Sequence, residues 1–197
     1  FADPQHDDYH LTAASAAINI GVDLTSSGAS MPEFLRDFEG NARPVSGGFD
    51  AGYDEIDLPS RCYATADDGA TTYGSYTASA VQRAVDESAD GATVKVAGYC
   101  TAVQARDFTT QTLHINKPLI VRGGYTNTNW IASDPAQHPT TLDAQLTDRV
   151  VFITNTAGTL ENLTVQQGWA WSGGGGGIEA GQSLALSNGT VISNAAV

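Results

Sequence analysis

Short apolar segments separated by polar turns fill the chain beyond residue 92. They are "TLHI", "PLIVRGGY", "TTLDA", "VVFITN", "TLENLTV", "SLALSN" and "TVISN". Asn and Gly stand at the corners, and similar pieces return after about 20–25 residues, a period typical of folds that stack repeated coils. This pattern predicts an all-β parallel β-helix. An antiparallel sandwich of short strands is the alternative. It is disfavoured because Asn188-Gly189 is almost the only hairpin signal of the Asn-Gly type.

One segment has helical rather than strand periodicity. The stretch "YTASAVQRAVDESADGATVKVAG" predicts a short α-helix over about residues 78–89, followed by a strand. Thr77 or Ser79 is the expected N-cap, and Gly91 is the expected stop signal. The apolar stripe of this helix consists of Val81, Ala84 and Val85. We expect this stripe to cover the first coil and to protect its open edge.

The first part of the chain has little regular periodicity. An apolar spine around Leu11 and Ile18 is followed by a segment dense in Gly, Asp and Pro, which predicts ordered loops. Residues 57–61, "DLPSR", form the best candidate boundary. The sequence therefore predicts a segment 1–58 and a second domain 60–197, which holds the helix and the coils.

These pieces resemble two parts of known surface proteins. Residues 60–197 resemble the N-terminal portion of a right-handed, pectin-lyase-like parallel β-helix through "ASAVQRAVDESADG", "TVKVAG", "LHINKPLIVRGGY", "TTLDA" and "LENLTVQQG". Residues 1–56 are similar to the closing segment of choice-of-anchor Q domains through "DDYHLTAASAAINIG", "DFEGNARP" and "FDAGYDE". The resemblance implies an extracellular or cell-surface β-helix, and its motifs are structural rather than chemical.

The order of the two parts carries the functional prediction. A closing segment comes first and an opening segment second, as in one period of a head-to-tail array. Such an array is either a set of covalent tandem repeats or a filament of separate subunits that complete each other's β-helix by strand addition. The expected partner is therefore another copy of this unit. The predicted joint residues are Tyr9, Leu11, Ile18 and Ile20 on one side, and Leu184, Leu186, Val191 and Ile192 on the other.

Composition narrows the classes of partner. The chain has 22 acidic and 9 basic residues, for a formal charge of −13, and this surface repels nucleic acid and anionic lipid. No apolar run approaches the roughly 18 residues of a membrane span. The 21 glycines and a charged fraction of only 16% fit a secreted β-protein. Cys62 and Cys100 lack CxxC spacing and predict one disulfide, with two unpaired thiols as the alternative.

Acidic residues of the first part raise the question of a metal. Asp37, Glu39 and Asn41 alternate like the oxygen ligands of a Ca²⁺ loop, although no bidentate Glu follows at the EF-hand position. Capped turns and solvated loops are the alternative. Asp50, Asp54 and Glu55 are expected to bind backbone N–H groups and Arg43. The four histidines form no HxH or HExxH pattern, so no zinc site is predicted from spacing.

The alternative function is a carbohydrate-binding or polysaccharide-cleaving module, a lyase or a hydrolase. A hydrolase needs two carboxyl groups at a defined separation, but the candidate charges of the strand region are scattered singly, and we expect no active site. Trp169 and Trp171 offer either a sugar-stacking platform or packing against a neighbouring coil or subunit. The run "SGGGGGIEA" (172–180) matches no phosphate-binding fingerprint and predicts a corner between coils.

Two triplets match the glycosylation sequon, at Asn162 and at Asn188. An Asn at a β-helix corner is also suited to hydrogen-bond the backbone of the adjacent coil. Both interpretations remain open at this point.

Overall fold

A computed structural model describes two compact units of the chain, Phe1–Ser60 and Arg61–Val197. In the second unit the described residues are 61–106, 109–171 and 174–197. In the first unit they are 2, 5, 9–12, 15, 17–18, 21, 35–40, 42–43, 49–52 and 54–56.

Among the described residues the second unit is mostly β-structure with one α-helix. Its elements in chain order are β1 (Cys62–Thr65), β2 (Tyr73–Ser75), α1 (Ser79–Glu87), β3 (Thr93–Thr101), β4 (Gln104–Arg106), β5 (Thr109–Ile115), β6 (Leu119–Tyr125), β7 (Thr141–Asp143), β8 (Arg149–Ile153), β9 (Gly158–Glu161), β10 (Thr164–Gln166), β11 (Trp169–Ala170), β12 (Ile178–Ala180), β13 (Leu184–Ser187), β14 (Thr190–Ile192) and β15 (Ala195–Ala196).

The strands return to the same parallel ladders in a fixed order. β3, β6, β9 and β13 form one ladder, and the end of β3 continues with β7, β10 and β14 in a second. β5, β8 and β12 form a third, and β11 pairs with β15. We call one passage through the ladders a round, and β13–β15 form the final round. The predicted all-β class is confirmed. The antiparallel sandwich is wrong, because the strands of these ladders pair in parallel.

Alternation along the strands places apolar columns of each ladder in the core. Because paired strands are in register, equivalent positions of successive rounds stack. The stacked and fully buried residues are Val94, Val121 and Leu160 in the first ladder, Cys100, Leu142 and Val165 in the second, and Leu113, Val151, Ile115 and Ile153 in the third. Burial of each such aliphatic side chain contributes about 1.5–3 kcal/mol.

Helix α1 lies within the predicted segment but begins and ends slightly differently. The N-cap is Ala78 and makes no side-chain cap hydrogen bond, so the predicted capping by Thr77 or Ser79 is wrong. Both hydroxyls instead take part in a hydrogen-bonded turn with Ser75. The helix ends at Glu87, because Ser88 is extended and its Oγ donates to the Val85 carbonyl at 2.8 Å. The predicted apolar stripe is buried against the strands.

The opening edge of the first round is covered by more than the helix. Strand β1 pairs antiparallel with β3, so the backbone edge of β3 is not left open there. Cys62 of β1 forms a disulfide with Cys100 of β3, with 4.7 Å between their Cα atoms. The predicted disulfide is confirmed, and the alternative of two unpaired thiols is wrong.

Asparagines occupy several of the corners between strands. Asn155, Asn162 and Asn188 all have positive φ, a conformation that Asn tolerates better than other residues with a Cβ atom. Asn188 Nδ2 donates to Asn162 Oδ1 of the preceding round at 2.8 Å, over a separation of 26 residues. Asn194 accepts from the Gly168 backbone N–H at 2.7 Å and donates to the Val165 carbonyl. Asn194 thus bonds the backbone of the adjacent round, as expected of a corner asparagine, whereas Asn162 and Asn188 bond each other through their side chains.

The described part of the first unit is organised around a buried ion pair. Arg43 Nε donates to Glu55 Oε2 at 2.8 Å, and both side chains are almost completely buried. Arg43 Nη2 also donates to the Asp50 carbonyl at 2.8 Å, and the Ile56 N–H donates to Asp50 Oδ2 at 2.9 Å. These contacts confirm the expectation that the acidic residues near position 50 bind Arg43 and backbone N–H groups.

Candidate functional site

The final round carries exposed apolar residues at positions that are buried in the preceding rounds. Leu186 stacks on Leu160 and is 44% exposed, and Val191 stacks on Val165 and is 43% exposed. The residues beneath them are fully buried. Each strand of the final round pairs with only one other strand among the described residues. The final round therefore presents an apolar face together with backbone edges.

The four joint residues predicted on this side do not share one face. Leu184 and Leu186 are two residues apart on β13 and point to the core side, where Leu184 packs against the core. Ile192 follows Val191 on β14, so its side chain points to the opposite face, in register with Gln166 and Asp143. Ile192 is exposed on the outer surface and lies outside the core column.

On the other predicted side, the described residues differ in exposure. Tyr9 is 53% exposed, whereas Leu11 and Ile18 are buried within the first unit. Ile20 lies outside the described residues. Tyr9 thus offers surface for a contact, while Leu11 and Ile18 stabilise the unit that carries it.

Two of the three predicted calcium ligands, Asp37 and Glu39, belong to the described residues. Asp37 is buried, and its Oδ1 accepts a hydrogen bond from the Glu39 N–H at 3.0 Å, which closes a capped turn. Asn41 lies outside the described residues. Glu39 instead has a carboxylate oxygen near His10 and Asp54, and the ligand atoms of these three residues all lie within 4.8 Å of one another. Sequence reasoning missed this group because its members come from three separate segments with no local spacing.

Several charged residues of the rounds form ion pairs or hydrogen bonds with side chains of neighbouring strands. Arg122 and Glu161 are in register on neighbouring strands and form a close ion pair, and this hydrogen bond raises the pKa of Arg122. Arg149 pairs with Glu179 at 2.6 Å. Asp143 accepts hydrogen bonds from Gln166 at 2.8 Å and from the Tyr99 hydroxyl. Burial and this carboxylate together raise the pKa of Tyr99. These carboxylates therefore stabilise contacts between rounds.

Two tryptophans form an aromatic pair beside the glycine run. Trp169 and Trp171 meet edge to face with 5.8 Å between ring centroids, and Trp171 is 75% exposed. The described part of the run, residues 174–177, lies between β11 and β12, as expected for a corner. A Cβ atom on Gly176 would come within 1.9 Å of the Ala195 carbonyl oxygen, so close approach of the backbone requires glycine there.

Both sequon asparagines use Nδ2, the atom to which a glycan is attached, as a hydrogen-bond donor. Asn162 Nδ2 donates to Ser133 Oγ at 2.8 Å while its Oδ1 accepts from Asn188. Attachment of a sugar to Asn162 would displace the bond to Ser133. Asn188 is exposed, but a sugar on its Nδ2 would likewise disturb the bond to Asn162, and glycosylation at both positions remains a prediction.

Comparisons with known proteins supply no relative for this chain. A scan against protein-family models, a search of curated proteins and a search of solved structures each found no match. Among the described residues, no helix has both the length and the apolar character needed to cross a membrane.

Proposed function

We propose that this chain is a structural unit of an extracellular, head-to-tail assembly built on a right-handed parallel β-helix. In this assembly the segment 1–58 of a neighbouring unit covers the final round of the preceding one. The observation that carries the proposal is the exposure of Leu186 and Val191 at the top of columns whose lower members are fully buried.

The fold assignment behind the proposal rests on the order of the ladders. Each ladder receives a strand once per round, and later rounds are offset by 26 residues, as between Asn162 and Asn188 or between Gly168 and Asn194. Parallel neighbours of this kind are the defining feature of stacked coils. The right-handed sense and the pectin-lyase-like character come from the resemblance of "LHINKPLIVRGGY" and "LENLTVQQG" to that family.

The chemistry of the final round favours contact with another β-structure. Residues 181–197 contain no Asp, Glu, Lys, Arg or His, although the whole chain has a formal charge of −13. Proteins normally protect an exposed strand edge with charges, Pro or a covering element. Residues 181–197 also contain no Pro. An uncharged, apolar edge avoids the repulsion that the acidic surface would impose on a second copy.

Burial of the exposed parts of Leu186 and Val191 would contribute only a moderate free energy of association. Complete burial of a Leu or Val contributes about 1.5–3 kcal/mol, and a little under half of each side chain is still exposed here. Leu186 and Val191 together would therefore contribute about 2 kcal/mol. Association of free molecules costs at least about 4 kcal/mol. The joint thus depends on strand pairing along the final round as well, and covalently linked units would associate more readily.

The test replaces a column residue by a charge. Leu186→Asp and Val191→Asp place a carboxylate where the neighbouring unit would pack, and we expect both to abolish assembly. Ile131→Asp is the matched control, because Ile131 is 91% exposed in the same unit but lies outside the final round. Negative-stain electron microscopy and sedimentation velocity at near-physiological salt measure the assembly. The native chain and the Ile131 variant should form fibres with a regular axial repeat.

Circular dichroism and hydrogen exchange of β3 to β8 verify that the variants keep their fold. Equal assembly of all the chains would contradict the proposal. The native chain could also remain compact and monodisperse at concentrations well above those used for microscopy. That result would contradict the form of the proposal in which the units are separate subunits.

A carbohydrate-binding surface module is the second candidate, and the exposure of Trp171 beside Trp169 favours it. An exposed indole offers an apolar face on which a sugar ring can stack. Glycan-array binding that disappears in Trp171→Ala would support this candidate. Leu186→Asp should leave such binding unchanged, which separates it from the assembly function.

A further inference from the structure

We infer that His10, Glu39 and Asp54 of the first unit form a binding site for a divalent transition-metal ion of the zinc class. The ligand atoms of these three side chains all lie within 4.8 Å of one another. They include an imidazole nitrogen as well as two carboxylate oxygens. The inference is independent of the proposed assembly.

A hydrogen bond from the backbone next to His10 holds Asp54 close to it. The Leu11 N–H, next to His10 in the chain, donates to Asp54 Oδ2 at 2.5 Å. The carbonyl of the same peptide group, that of His10, accepts from the Ala2 N–H at 2.8 Å. The His10 imidazole packs against the Phe38 ring with 5.1 Å between centroids. The orientation of the imidazole is therefore set before any ion binds.

Glu39 is presented by a tight turn on a different segment. Its N–H donates to Asp37 Oδ1 at 3.0 Å, and the Gly40 N–H donates to the Asp37 carbonyl at 3.1 Å. Gly40 has positive φ, which a glycine adopts at no steric cost. The turn directs Glu39 Oε1 to within 3.1 Å of His10 Nε2. Asp37 thus positions a ligand instead of acting as one.

The geometry suits a small ion with mixed ligands. A tetrahedral zinc ion with bonds of about 2.0–2.1 Å places its ligand atoms about 3.4 Å apart. The His10–Glu39 pair is already close to this separation, and the third ligand atom needs only a small shift. One imidazole and two carboxylates satisfy zinc or manganese, whereas calcium takes oxygen ligands almost exclusively. A fourth position would be left for water or for a side chain of a partner molecule.

Electrostatics favour a cation at this point. The two carboxylates of this group belong to a chain whose formal charge is −13. Arg43, a basic residue of the same unit, is committed to Glu55 and to the Asp50 carbonyl. A divalent ion would replace the contact between His10 and Glu39 by two stronger bonds to the metal. It would also cross-link three segments of a unit that has few regular elements among its described residues.

The test titrates ZnCl₂ into the metal-free full chain by isothermal calorimetry, and into four variants. His10→Ala removes the nitrogen ligand, and Glu39→Gln removes one carboxylate. Asp54→Asn weakens the third ligand but keeps an oxygen that accepts from the Leu11 N–H. His138→Ala is the matched control, because His138 is an exposed histidine outside this group.

We expect one Zn²⁺ per chain, with affinity reduced at least about tenfold in each of the three ligand variants and unchanged in His138→Ala. The visible absorption spectrum of the Co²⁺ form should change in Asp54→Asn even where the fold is intact. Affinity for Zn²⁺ that is the same in His10→Ala as in the native chain would overturn the inference. Absence of stoichiometric binding to the native chain would overturn it as well.

Discussion

A buried glutamine on the helix completes the hydrogen bonding of the first round, and its removal is the most informative perturbation of the fold. Gln82 of α1 is almost fully buried. Its Nε2 donates to the His114 carbonyl at 3.0 Å, and its Oε1 accepts from the His114 N–H at 2.8 Å. The side-chain amide therefore donates to and accepts from the β5 backbone, as a neighbouring strand would. Strand β4 pairs only with residues 109–111 of β5, so it does not reach His114.

The cost of losing this contact follows from the two backbone groups that it satisfies. A buried donor or acceptor left without its partner costs about 1–3 kcal/mol. Removal of the Gln82 amide should therefore lower the free energy of unfolding of the second unit by about 2–6 kcal/mol. Gln82→Met keeps nearly the same volume, so its effect measures the hydrogen bonds and not a cavity. Arg83→Ala is the control, since the exposed pair of Arg83 with Glu87 contributes less than about 1 kcal/mol.

Guanidinium unfolding followed by tryptophan fluorescence measures this difference, because all three tryptophans lie in the second unit. Hydrogen exchange of the His114 amide supplies a local measurement, and it should accelerate in Gln82→Met. The reasoning would be refuted by a Gln82→Met variant within about 0.5 kcal/mol of the native chain, the ordinary scatter of surface substitutions, with unchanged exchange at His114.

Three further predictions concern single contacts. Replacing Cys62 and Cys100 by Ser should destabilise the second unit by about 4 kcal/mol, the chain-entropy value for a separation of 38 residues, as measured by denaturant unfolding against the oxidised chain. Glu55→Gln leaves Arg43 buried without its counter-charge and should cost about 3 kcal/mol or more, measured as faster hydrogen exchange confined to the first unit. Burial and a carboxylate partner raise the pKa of Tyr99, so the folded chain holds this proton more tightly than the unfolded chain does. The stability that Tyr99 contributes is therefore kept below the ordinary tyrosine pKa and lost as pH rises through the raised value. Tyr99→Phe should remove, from the tyrosinate absorbance titration, one tyrosine that titrates above the ordinary tyrosine pKa.

The stacking of strands was predictable because similar apolar pieces recur along the sequence. The structure stacks Val121, Leu160 and Leu186 in one ladder, but at offsets of 39 and 26 residues instead of the expected 20–25. Corner asparagines were predictable for a related reason, since Asn162 and Asn188 adopt positive φ and bond between rounds. Local rules on turns and apolar alternation are sufficient for both.

Contacts between distant segments were less accessible. The sequence offered two hydroxyl residues as N-caps of α1, but a turn around Ser75 binds both hydroxyls, and Ala78 occupies the cap position. No local spacing indicated that His10 would meet Glu39 and Asp54, because the meeting depends on the fold of loops. Likewise, nothing in the strand pattern distinguished the core-facing Val191 from the outward-facing Ile192 until the register was known.

The two edges of the stacked rounds are protected very differently, and this difference bears on function. At the first round, β1, the disulfide and Gln82 each satisfy or cover part of the edge. At the final round, the described strands β13 to β15 have neighbours on one side only, and the segment 181–197 carries neither charge nor Pro. An unprotected edge of this kind is a template for pairing with another chain. In the proposed assembly, the edge of the final round would meet a different surface of the neighbouring unit, and heterologous contacts of this kind propagate as a row instead of closing as a symmetric pair.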